Sequence, residues 1–202
     1  FTGAATNGKG GDMLLSIGSG TTKTGGDIVM TAGLSTATSV GTGGAISVST
    51  GVGDSTSSGA LIVKTTDAGT LGVTGALRFT SGTASSGASG YIQIATGSAT
   101  NGEGGDILVS IGKSKTNPGG DVVVTAGWSE PLSGGAISIA SGEGTTDTSG
   151  AIIVKTMNAG TTGVSGMLSF TSGTTSSGTS GHFNLFTGAA TNGKGGDMLL
   201  SI

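Results

Sequence analysis

The sequence predicts an all-β fold, a β-solenoid (parallel β-helix) of ~15-residue strand–loop units with two units per coil and six units per superrepeat. Three observations predict it. Glycines recur at a nearly constant spacing, apolar residues alternate with period two after each of them, and Gly/Ser/Thr/Asn-rich segments separate the alternations.

The glycine anchors are Gly11, Gly26, Gly44, Gly59, Gly75, Gly90, Gly105, Gly120, Gly135, Gly150, Gly166 and Gly181, with Gly196 opening another unit. Their spacing is 15 nearly throughout, 16 at two places and 18 once. The first six units read GDMLLSIG, GDIVMTAG, GAISVSTG, GALIVKTT, GALRFTSG and GYIQIATG. The order then restarts with GDILVSIG, GDVVVTAG, GAISIASG, GAIIVKTM, GMLSFTSG and GHFNLFTG. The superrepeats are therefore 11–104 and 105–195, within one continuous array spanning 1–202. Residues 1–10 and 196–202 belong to neighbouring superrepeats, and the seventeen residues 1–17 return unchanged at 186–202. The chain begins and ends in mid-pattern, so the sequence predicts that it is a window of a longer array.

Within each unit, positions 3 and 5 are apolar: Ile107 and Val109, Val122 and Val124, Ile137 and Ile139, Ile152 and Val154, Leu168 and Phe170, Phe183 and Leu185. The alternate positions are mostly polar or small, such as Asp106, Ser138, Lys155 and Asn184. This is the pattern of a strand with one buried face. The density of Gly and β-branched residues argues against helix. Asn-Gly and Ser-Gly pairs in the connecting segments mark turns that need positive φ.

Coil size is a choice between one unit and two. Asp12 and Asp27, and again Asp106 and Asp121, hold the same place in adjacent units. One unit per coil would set these like charges on neighbouring strands, which is unfavourable. Two units per coil set the first Asp beside Ala45 instead, so two are favoured; an antiparallel meander is the further option.

Composition narrows function by exclusion. Gly, Thr and Ser supply 44, 33 and 28 residues, over half of the 202. Charged residues are 9%, the net charge is −3, and mean hydropathy is +0.23, so this is neither charge-driven disorder nor a basic footprint for nucleic acid. No apolar run approaches the 18 residues of a membrane span. Cysteine is absent, which removes disulfides, thiol catalysis and Cys-ligated zinc. There is no N-glycosylation sequon, though the hydroxyl-rich loops offer acceptors for O-linked sugar.

No catalytic, cofactor-binding or metal-binding residues are assigned, and the chain is read as a non-enzyme. The one histidine, His182, stands at an outward strand position where the other superrepeat has Tyr91. The acidic residues are too dispersed for the paired carboxylates of a polysaccharide-cleaving groove. "NGKGGDML" resembles a calcium-binding nonapeptide repeat, but the period here is 15 and the glycine order differs. Calcium on the Asp-bearing faces stays open beside a solvated surface.

The outward apolar residues are the candidate lateral contacts: Leu14, Val29, Ile62, Leu108, Val123 and Ile153, with Trp128 and Phe186. The same three unit types present them in both superrepeats. Ordinary β-propensity is the competing explanation. Threonine clusters, such as Thr22 with Thr24 and Thr36 with Thr38, form no constant Thr-x-Thr column, which weakens an ice-binding reading.

The unit order, including "AGTTGVSGMLSFTSGTTSSGTSG" at 159–181 and "TGAATNGKGGDMLLSIG" at 2–18, resembles the very long Gly/Ser/Thr-rich repeat proteins of the cell surface of stramenopile algae. The resemblance covers the whole window. It brings no catalytic residues, and it implies an extracellular structural role in fibres such as mastigonemes or in adhesive strands. The expected function is thus a structural protein of an extracellular filament. Its expected partner is itself, head to tail and laterally, with surface glycans as a second partner and no nucleic acid or membrane insertion. An ice- or glycan-binding adhesin-type module is the alternative function.

Overall fold

The computed structural model describes residues 2–6, 8–21, 24–37 and 41–201. Thr22 and Thr38 of the threonine clusters lie outside them. The chain divides into two parts, Phe1–Ile107 and Leu108–Ile202.

Neither part contains a helix or a strand among the described residues. The expected all-β fold is therefore wrong, and with it the β-solenoid or parallel β-helix, the two-unit coil and the buried apolar columns. Alternation fixes which side chains share a face, but a sheet also needs a second segment to take up the backbone N–H and C=O groups. Here that segment is missing. Among the described residues, backbone hydrogen bonds between residues distant in sequence are confined to loop closures.

Those closures follow the glycine anchors. In Phe1–Ile107, the anchor N–H donates to the carbonyl of the glycine that ended the previous segment. Gly11 bonds Gly3 at 3.2 Å, Gly26 bonds Gly18 at 3.5 Å, Gly44 bonds Gly33 at 2.8 Å and Gly59 bonds Gly51 at 3.2 Å. In Leu108–Ile202, Gly135 bonds Gly127 at 2.9 Å and Gly150 bonds Gly142 at 3.0 Å. These six anchors thus act as the bases of closed loops.

Two glycine positions are fixed by geometry. Gly144 sits where a Cβ would lie 2.6 Å from the Asp147 carbonyl oxygen and 2.5 Å from that of Thr148, so no side chain fits without moving the loop. Gly53, its counterpart in the other superrepeat, is crowded in the same way by the Ser57 carbonyl oxygen at 2.7 Å. Positive φ occurs only at the equivalent residues Gly87 (+104°) and Gly178 (+107°) among the described residues. The turns at Asn101–Gly102 and Asn192–Gly193 do without it, contrary to the expectation from their sequence.

No described residue is buried, so there is no core in either part. The inward columns expected at positions 3 and 5 are open to water: Ile107 is 55% and Val109 71% exposed. The alternation nevertheless survives as a gradient, because Leu108 between them is 87% exposed. Adjacent segments touch at a few places. Phe170 and Phe183 stack with centroids 6.4 Å apart and planes at 28°, and Ile111 Cγ2 comes within 3.0 Å of where a Cβ on Gly120 would stand.

Candidate association surface

Exposure differs within each unit. In GDILVSIG, Leu108 is 87% exposed, against 55% for Ile107 and 71% for Val109. Every candidate contact is exposed: Leu14, Val29, Ile62, Leu108, Val123, Ile153, Trp128 and Phe186 lie between 76% and 89%. Leu14, Val29 and Ile62 have counterparts in Leu108, Val123 and Ile153 of the same unit types, whereas Leu34 and Ala95 stand at the positions of Trp128 and Phe186.

Exposure is not confined to these residues. The expected inward pairs, from Ile107 and Val109 to Phe183 and Leu185, are exposed as well. Units such as GDILVSIG and GDVVVTAG therefore expose three consecutive apolar side chains. Two further residues escaped the sequence reading. Val73 and Val164 hold equivalent loop positions and are almost fully exposed. The signal that finds them is an apolar residue kept at one loop position in both superrepeats, where loops elsewhere are hydroxyl-rich.

Charge is sparse on this surface. Lys9 Nζ lies 2.6 Å from Asp12 Oδ2, and Lys194 Nζ lies 2.8 Å from Asp197 Oδ2, with side chains 79% and 75% exposed in both pairs. These (i, i+3) pairs belong to the segment that opens and closes the chain. The middle copy carries Glu103 at the lysine position, ahead of Asp106. His182 is exposed on its segment.

Among the described residues, no three His, Asp or Glu side chains gather as a metal site would require, and the surface holds no cavity. No described helix is long and apolar enough to cross a membrane. What the arrangement offers chemically is apolar area and unpaired backbone amides, repeated along the chain. No protein family, curated protein or solved structure matches the chain.

Proposed function

We propose that this chain is a structural protein whose copies associate into an extracellular filament or fibre. The observation that carries the reading is the size and pattern of the exposed surface. The chain exposes 20302 Å², whereas a folded monomer of 18.9 kDa exposes about 8,300 Å² and the unfolded chain about 27,000 Å². The excess over a folded monomer is thus on the order of 12,000 Å². A standard protein interface buries only about 1,600 Å², so a single small partner leaves most of that excess wet.

A second copy is the partner that fits best. It carries apolar residues at the same spacing, so one contact repeats at each unit. Packing row against row turns a small gain per segment into a large sum. Hydrophobic area contributes roughly 25 cal/mol per Å², and this gain must offset the ordering of a glycine-rich backbone. Repetition along the chain favours an open assembly over a closed pair, because a contact that recurs at each unit has no built-in stop. The scarcity of charge supports the same reading, since little repulsion opposes lateral packing. An extracellular location agrees with the hydroxyl-rich loops and the implied likeness to algal surface proteins.

The test is sedimentation velocity over a wide concentration range, with negative-stain microscopy of whatever sediments. The expected result is fibres above a threshold concentration and small species below it. A chain that stays monomeric at millimolar concentration, in physiological salt, overturns the reading.

A further inference from the structure

We infer that Asn101 and Asn192 are sites of spontaneous deamidation, each converting to aspartate and isoaspartate through a cyclic imide. The inference does not depend on self-association. Three asparagines precede glycine in the sequence: Asn7, Asn101 and Asn192. Asn7 lies outside the described residues. The other three precede proline (Asn117), alanine (Asn158) and leucine (Asn184).

The reaction is an attack by the backbone nitrogen of the next residue on the asparagine Cγ. At Asn101, base takes the Gly102 N–H proton and the N–Cγ bond forms. The Cγ–Nδ2 bond breaks, and Nδ2 leaves as ammonia. Water then opens the imide. Attack at Cγ gives aspartate, and attack at the former backbone carbonyl carbon gives isoaspartate, whose chain runs through the side-chain carbons. Either way an amide and a water become a carboxylate and an ammonium, and nothing is oxidised or reduced. Glycine suits the attack because it has no Cβ to hinder the approach and its backbone turns freely. Proline has no N–H to lose, so this route is closed at Asn117.

The structure leaves both pairs open to the reaction. Asn101, Gly102, Asn192 and Gly193 are all exposed. Neither glycine takes positive φ, so neither pair is fixed in the tight turn that its sequence favours. Among the described residues, no hydrogen bond engages the side chains of Asn101 and Asn192 or the amides of Gly102 and Gly193. Their loops are also untied at the base. Gly135 bonds Gly127 and Gly150 bonds Gly142, whereas no backbone hydrogen bond joins Gly105 to Gly97 or Gly196 to Gly188. Asn117 is the contrast: its backbone N–H donates to Ser114 Oγ at 3.2 Å and its Nδ2 donates to Thr116 Oγ1 at 3.5 Å. Each conversion adds one negative charge at the head of a GD(M/I)L unit, beside Glu103 in one loop and Lys194 in the other.

The experiment incubates the full-length chain at mildly alkaline pH in water enriched in heavy oxygen. Digestion in acid, where the imide route is slow, precedes mass spectrometry with electron-transfer fragmentation, which tells isoaspartate from aspartate. The expected result is heavy oxygen at 101 and 192 in both isomers, formed faster as pH rises, with the amides of Asn117, Asn158 and Asn184 retained over the same period. Gly102→Ala, whose methyl meets open space, should remove most of the product at 101 and leave that at 192 unchanged. Intact amides at 101 and 192 after Asn158 or Asn184 has reacted overturn the inference. Aspartate without isoaspartate, or a yield at 101 that Gly102→Ala does not lower, overturns the imide route and the assignment with it.

Discussion

Replacing the outward residue of three units in one superrepeat tests the contact surface directly. The perturbation is L108T/V123T/I153T. Threonine keeps β-branching at Val123 and Ile153 and adds it at Leu108, so extended backbone stays favoured and the change falls mainly on apolar area. The three side chains are 87%, 80% and 78% exposed, so nearly all of their area is free to be buried by a neighbouring copy. Full burial of such a side chain is worth about 1.5–3 kcal/mol, and exchange for threonine removes roughly half of that. Three sites then cost about 3–4 kcal/mol per chain, or a rise of roughly 200- to 1,000-fold in threshold concentration. The assay is the protein left in the supernatant after sedimentation at a series of total concentrations. The matched control is I107T/V122T/I152T, one position earlier in each of the same units. Those residues are 55%, 58% and 54% exposed, so they have about two-thirds of the area left to bury and should shift the logarithm of the threshold proportionately less. A threshold unchanged by the first set, or moved further by the control set, refutes the assignment of the outward row as the contact.

Two further outcomes follow from the same surface. The dilute chain should show no calorimetric unfolding peak, because only about 7,000 Å² remains to be exposed, against roughly 19,000 Å² for a folded chain of this mass; a sharp cooperative transition below the assembly threshold contradicts the open structure. Gly144→Ala should break the loop closed by Gly150 and Gly142, because the added methyl collides with the Asp147 and Thr148 carbonyls, and the loss of one hydrogen bond of about 1 kcal/mol should appear as faster amide exchange at Gly150.

The graded exposure within a unit was legible in the residues themselves. Leu108 stands out from Ile107 and Val109 in exposure, as a period of two requires, and the anchors Gly26 and Gly59 close loops where the spacing marks the ends of units. Val73 and Val164 were missed because loops were read for turn chemistry rather than apolar content. Turn chemistry itself was only half legible. Gly87 and Gly178 adopt positive φ, whereas the Asn-Gly pairs at 101–102 and 192–193 do not. A dipeptide preference is a local bias, and the path of the closed loop around it sets the angle.

The order of residues alone determined the repeat and the glycines that close six of its loops, because each of these depends on a few neighbouring residues. The absence of a sheet among the described residues was decided only by the tertiary structure. Sheet pairing costs chain entropy over the loop between segments, and a glycine-rich chain loses more of that entropy than most. A single layer wetted on both sides returns little apolar burial to offset it, so Ile107, Val109 and their equivalents stay in water until something outside the chain covers them.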